Sequence, residues 1–216
     1  KSISENEILK NKFNYIFITN EISEHVKVLK KFILCSKNFF IEKPIASDLS
    51  EILEINKILK KKLNIFIGYQ LRFHPGIEII KETIKKKKLG NLISGNLYFG
   101  EYLPLMHSYE DYTKTHMGIK KKGGGVVSCL SHTIDLFLYL IGKPNKIFSI
   151  TSKNSLLQID VEDDLQAILT YNNKANMLLH MNFLTYPPQH FMILNFQNGT
   201  VNWNYFNKDL TIFGVI

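Results

Sequence analysis

The sequence predicts two joined architectures: the end of a doubly wound α/β unit over 1–72, then an α+β unit with a mostly antiparallel sheet over 73–216. Three observations carry this. In the first third, short apolar runs alternate with stretches of helical period, the β-α-β-α-β rhythm of a parallel sheet flanked by helices. From residue 92 onward, strand-like runs follow one another with turn residues between several of them. One long apolar helix interrupts that second series.

The elements follow in order. The run 13–19 (Phe-Asn-Tyr-Ile-Phe-Ile-Thr) is nearly continuous in apolar residues, which predicts a strand buried on both faces. Asn20 or Ser23 is placed to cap the next helix, whose buried stripe is Ile22, Val26, Leu29 and Ile33. Residues 38–41 form the second strand. Asp48 with Glu51 resembles a capping box, and Ile52, Ile55 and Leu59 mark the stripe of the helix behind it. Residues 64–69 form the third strand. Pro75 suits a first helical turn, and Ile77, Ile80 and Ile84 give one apolar face that ends near Gly90. Strands are then expected at 92–100, 146–152, 165–171, 176–183, 191–196 and 199–205, with turns at Asn172-Asn173 and Asn198-Gly199, and the run 211–216 is strand-like. A helix is expected over about 125–141, stopping at Gly142.

Composition narrows the function. Of 216 residues, 45% are apolar and 21% charged, which excludes disorder and fibrous classes. No apolar run reaches the roughly 18–20 residues of a membrane span. Two cysteines, Cys35 and Cys129, are too few for a disulfide scaffold, so a reducing, cytoplasmic setting is expected. The net charge of +8 rests on lysine, Arg72 being the single arginine among 27 basic residues. A nucleic-acid binder would be expected to use arginine for bidentate contacts. The lysine runs 60–62, 85–88 and 120–122 therefore read as solvated surface, in a chain shaped by an AT-rich genome, and neither nucleic acid nor membrane is expected as a partner. The seven histidines are scattered and no H-E-x-x-H or paired C-x-x-C occurs, so no metal is expected. The chain opens on Lys1 and closes inside an apolar run, so both ends are expected to be cuts in a longer protein.

Two segments point to chemistry. On the expected helix, Ser128, Ser131, His132 and Asp135 fall within an arc of roughly 100° at helical period. The rest of the circumference is mostly apolar, so that polar stripe must face a partner or a cavity. One reading is a satisfied structural network with His132 bonded to Asp135. The other is a histidine at the wall of a substrate pocket. The glycines 123–125 before it allow close approach of another segment or a ligand, and their free N–H groups are a weak anion-site signal. The second segment is Glu42-Lys43-Pro44, at the C-terminal end of a parallel strand, where ligands of doubly wound sheets bind. Pro44 holds Lys43 extended and so aims its side chain.

Thr19-Asn20 with His25, then Glu42-Lys43-Pro44, then 68–75 (Gly-Tyr-Gln-Leu-Arg-Phe-His-Pro), then the glycine run with Ser128, His132 and Asp135, occur in the order of one family. The chain resembles the glucose–fructose oxidoreductase / inositol dehydrogenase (Gfo/Idh/MocA) family of nicotinamide-dependent oxidoreductases over almost its whole length. The resemblance implies the C-terminal part of a Rossmann domain, then a substrate domain whose antiparallel sheet serves homo-oligomerisation. It implies NAD or NADP as cofactor and a sugar, cyclitol or related small molecule as substrate. It makes Lys43 and His132 the catalytic pair, places Thr19, Asn20, His25, Glu42, Lys43 and Gln70 along the dinucleotide, and puts Ser128, Asp135, Arg72, Tyr102 and His107 toward the substrate. The segment 100–112 is similar to the substrate loop of members linked to surface-sugar biosynthesis; its other reading is an aromatic-rich loop packed on the domain.

Departures from the pattern matter. The family's G-x-G-x-x-G turn and the residue that selects NAD or NADP are not in this chain, so this segment alone is expected to bind cofactor poorly. Ser128 stands where many members have Asp, and His190 where Arg is common. The expected chemistry is hydride transfer, with Lys43 lowered in pKa by enclosure and His132 titrating near neutrality. Ser128 is the best support for the rival, a metabolite binder that has lost the chemistry. Both depend on Lys43 and His132 converging on one cleft.

Overall fold

The computed structural model describes residues 2–58, 63–172 and 175–215. Leu59, the lysines of 60–62, Asn173 and Ile216, on which parts of the sequence reading rest, lie outside the described residues.

The first sheet has three parallel strands in the order β1 (Ile16–Ile18), β2 (Asn38–Ile41), β3 (Asn64–Ile67). Helix α1 (Glu5–Leu9) precedes them, and α2 (His25–Phe32) and α3 (Leu49–Ile58) make the crossovers. Side chains alternate across a strand. Ile18, Phe39 and Ile41 therefore point one way and bury against Leu29 of α2. The other face differs from the sequence expectation of burial on both sides. There Phe17, Phe40 and Phe66 stand in register with ring centroids 5.5 Å apart, and Phe17 is 67% exposed. Helix α2 lies behind the aliphatic face; on the aromatic one Phe73 packs on Phe66 with ring centroids 5.9 Å apart, while Phe17 and Phe66 remain exposed.

Capping also differs in detail. Neither Asn20 nor Ser23 caps α2, which starts directly from a 3-10 turn over Ile22–Glu24 without a side-chain cap. At α3, Asp48 does accept from the N–H groups of Ser50 and Glu51, but Glu51 reaches back to Ser47 rather than to Asp48.

The second sheet has seven strands in the order β10-β9-β8-β4-β7-β6-β5. These are β4 (Leu92–Gly100), β5 (Lys146–Ser152), β6 (Asp164–Thr170), β7 (Asn176–Asn182), β8 (Gln189–Phe196), β9 (Gly199–Asn204) and β10 (Asp209–Gly214). All neighbours pair antiparallel except β4 and β7, which are parallel. The inner face, including Leu97, Met177, Leu179, Leu194 and Trp203, packs against α4 (Pro75–Lys85) through Ile77 and Ile80 and against α7 (His132–Leu140) through Leu136 and Phe137. The short α5 (Leu103–Met106) and α6 (Val126–Cys129) complete the layer.

The helix expected over 125–141 is two helices. The segments before Leu130 and after Ser131 meet at 49°. Thr133 N–H bonds to Leu130 O rather than one residue earlier, which leaves the Cys129 carbonyl to another partner. The glycines before the break allow the close approach that the sequence suggested. A side chain on Gly124 would collide with the His116 and Met117 carbonyls, and one on Gly125 (φ +113°) with the Glu162 carboxylate. Glu162 also answers the anion signal from within the chain, since its Oε1 accepts from Val127 N–H at 3.2 Å.

Candidate active site

The ends of β1 and β2 and the α6–α7 break meet around a cavity of about 300 Å³. Thr19, Asn20, His25, Glu42 and Lys43 line it from the parallel sheet, and His107, His116, Met117 and Cys129 line it from the other unit. Lys43 crosses this space. Its Nζ donates to the Cys129 carbonyl at 2.6 Å, the acceptor released by the broken helix. Burial pushes the Lys43 ammonium below the ordinary lysine pKa, and the nearby Glu42 opposes that. Strand order explains the position: the C-terminal ends of parallel strands open into loops, and β2 delivers Glu42-Lys43 there.

His132, on α7, does not line that cavity. It is 8% exposed, lies edge-on to Tyr69 with centroids 5.6 Å apart, and its Nδ1 meets no hydrogen-bond partner among the described residues. Burial, with Lys43 as a second cause, pushes its pKa down to about 4. That corrects the expectation of titration near neutrality: the imidazole is held neutral. Lys43, just past the end of β2, acts electrostatically on His132 at the start of α7.

The polar stripe is split by the helix break. Ser128, Ser131 and Asp135 line a separate groove of about 350 Å³ with Pro44, Ala46 and Tyr69. Asp135 does not bond His132. Its two oxygens accept from Arg72 Nε at 2.8 Å and Nη2 at 2.5 Å. Arg72 and Asp135, both read as substrate contacts, are thus committed to each other, and Arg72 also stacks near Tyr69 and Tyr139. Gln70 is exposed and Tyr102 precedes α5; neither lines the Lys43 cavity. His25 reaches the cavity, yet both its ring nitrogens face backbone carbonyls. His190, at the position where Arg is common, is buried against Phe99 and Trp203 and pushed down to about 3 by burial, then by His132 and His74.

His116 is the residue that sequence reasoning passed over, having weighed it only as a scattered histidine. Burial and then Lys43 lower its pKa. The glycine run was its signal, because Gly124 is the residue packed against the His116 carbonyl.

A family model described as the GFO/IDH/MocA C-terminal domain matches residues 77–202. A trans-1,2-dihydrobenzene-1,2-diol dehydrogenase of Xenopus laevis is 25% identical over 145 residues, 66% of this chain and 41% of that protein. Among solved structures, levoglucosan dehydrogenase in complex with NADH and levoglucosan superposes with a TM-score of 0.86 at 17% identity, covering 97% of this chain and 59% of that one. The WlbA dehydrogenase of Bordetella pertussis in complex with NADH and UDP-GlcNAcA gives 0.81 at 18% identity, covering 94% and 62%. The chain thus spans about two fifths of that curated relative and about three fifths of these structures. With the match over 77–202, and the parallel sheet and long antiparallel sheet in the same order as in those structures, the chain belongs to the GFO/IDH/MocA family.

Proposed function

We propose that the whole protein is an NAD(P)-dependent dehydrogenase that transfers a hydride between nicotinamide and a secondary alcohol or ketone of a sugar, cyclitol or sugar derivative. The observation that carries this is Lys43: a partly buried ammonium at a parallel-strand end, reaching across a cavity onto the opposite unit. The similar proteins whose names include NADH with levoglucosan or UDP-GlcNAcA support the cofactor and the substrate class. Residues 1–72 then form the cofactor-side unit and 73–216 the substrate-side unit.

The cavity fits the nicotinamide end of such a cofactor, since it combines a hydroxyl, an amide, a carboxylate and an ammonium at strand ends. Thr19, Asn20 and Glu42 would hold it there. When bound, it supplies the redox chemistry. Lys43 holds or moves the proton of the reacting hydroxyl, for which an amine of lowered pKa is suited. Neutral His132 accepts a hydrogen bond or proton on the substrate side. His107 and His116 offer polar contacts to a hydroxylated ligand. Lys43→Ala in the whole protein should lower turnover about 10²- to 10⁴-fold, with the fold intact by circular dichroism; near-normal turnover refutes the assignment.

Two points favour a second reading, a metabolite binder without chemistry: Ser128 stands where the family resemblance leads one to expect Asp, and His132 is held too low to be a strong base. Cofactor fluorescence with a redox assay over a sugar panel separates the two: binding without turnover supports the binder.

For quaternary structure we read the outer face of the seven-stranded sheet as the contact between copies. A depression of about 600 Å³ there is lined by Phe148, Ile150, Ile168, Leu178, Tyr98 and neighbours. None of its lining residues is a lysine, in a chain that has 26. A face so depleted of the commonest surface charge is suited to a second copy of the same sheet.

A further inference from the structure

We propose that His25 is a positioning residue for Lys43: its ring ties together the two strand ends that form the cavity, and so fixes where the ammonium stands. The proposal rests on the reading of Lys43 as the working group.

The geometry is specific. His25 is fully buried at the start of α2. Its Nδ1 lies 2.9 Å from the Pro44 carbonyl and its Nε2 lies 3.0 Å from the Asn20 carbonyl. Asn20 follows β1 and Pro44 follows β2. The Glu42 N–H to Ile18 O bond, 2.9 Å, joins these segments at the sheet; beyond it the His25 ring joins them again.

Chemistry decides what the ring does there. A backbone carbonyl accepts and cannot donate. Each ring nitrogen that bonds must therefore carry a proton. The neutral ring donates to one carbonyl and turns a lone pair toward the other, so the doubly protonated ring is the form that ties both segments and the form the proposal requires. In either form the ring has no nitrogen directed at a ligand, although its edge lines the cavity. His25 thus differs from a cofactor contact, the role that family resemblance suggested. Lys43 is gripped on both sides along the chain: Glu42 Oε2 accepts from its N–H at 3.2 Å, and His25 holds the carbonyl of the next residue. With the main chain fixed, the side chain reaches the Cys129 carbonyl. No other described side chain is recorded bonding the Asn20 or Pro44 carbonyl.

Two measurements on this chain and one on the whole protein test it. Long-range ¹H–¹⁵N correlation of the imidazoles should show a His25 ring N–H exchanging with solvent at least about tenfold more slowly than that of exposed His107. Equal exchange overturns the proposal. Limited amine acylation, read by peptide mass spectrometry, reports the second. His25→Phe should speed Lys43 labelling by roughly three- to tenfold, the factor of one ordinary lost hydrogen bond, with exposed Lys143 unchanged. Unchanged Lys43 labelling in folded His25→Phe overturns the proposal. His25→Gln, which retains a donor, should recover part of the protection; a glutamine variant as reactive as the phenylalanine one would show that ring shape alone holds the turn, and overturns it too. If His25→Phe does not fold, the exchange measurement on the unaltered chain decides. In the whole protein, His25→Phe should lower kcat about 10²-fold, the effect of a misplaced catalytic group, with the KM for cofactor changed far less. A loss confined to KM overturns the proposal. Normal turnover in Lys43→Ala would instead sink the reading of Lys43 and leave the exchange and labelling results standing.

Discussion

Mild acid should destabilise this fold through buried histidines, His132 and His190 above all, and replacing one of these should remove a large part of the effect. The folded state holds His132 down to about 4 and His190 down to about 3, against 6.5 for a free imidazole, in both cases with burial as the largest cause. Between those values and 6.5 the unfolded chain binds protons that the folded chain refuses, so stability falls as pH falls. Each histidine contributes a slope of about 1.4 kcal/mol per pH unit in that window. From pH 6.5 to 5 the loss is then between about 1 and 2 kcal/mol each, or about 3 together, because the unfolded imidazole is only half protonated at 6.5. That is a large part of the 5–15 kcal/mol typical of a folded protein. His116, lowered by burial, adds to the loss and Glu101, raised by burial, opposes it, while the carboxylates of lowered pKa, Glu7, Asp48, Glu82 and Asp111, titrate below 4.5 and do not enter this window. His190 is the better handle, because it stacks on Phe99 at 4.3 Å with rings 9° apart, a setting that a phenylalanine can share. Urea unfolding curves at closely spaced pH values should show stability declining as pH falls from 6.5 to 5. His190→Phe should reduce that decline by about 1 to 2 kcal/mol at pH 5. A profile flat from pH 7 to 5, or a His190→Phe profile with the original slope, refutes the burial argument.

Other outcomes follow from the same geometry. Lys43→Met should raise the His132 titration midpoint from about 4 without restoring that of a free imidazole, because Lys43 is the smaller of its two causes; an unmoved midpoint by NMR would place the ammonium elsewhere. Arg72→Leu should cost roughly 2–3 kcal/mol, since Asp135 is left buried with its side chain 6% exposed, and the double replacement Arg72→Leu/Asp135→Leu should recover most of it; the low end of the usual range applies because Arg72 is 40% exposed. Gly125→Ala should cost at least about 2 kcal/mol from the positive φ and the Glu162 contact together, read as a fall in the urea midpoint. Ile150→Lys with Ile168→Lys should convert the whole protein to monomers by light scattering if the outer sheet face joins two copies; an unchanged mass sends the interface elsewhere.

The sequence by itself determined the order of elements, because hydrophobic period and turn residues are local properties. The strands at 38–41, 92–100 and 146–152 match the structure to the residue, and Pro75 begins its helix as expected. The Glu42-Lys43-Pro44 segment was also legible, since a strand end is fixed by the run before it. What only the tertiary structure decided is which groups are free to act. The polar stripe at helical spacing read as one array, yet an unbroken helix would have kept the Cys129 carbonyl; the break hands it to Lys43, a residue 86 positions away in sequence. Asp135 was within reach of His132 by spacing but pairs with Arg72, because a guanidinium from the other side of the junction offers two donors in the right plane. His132 was expected near neutrality, and burial holds it well below. Burial and long-range pairing depend on what packs against a residue from distant parts of the chain, and no local pattern encodes that.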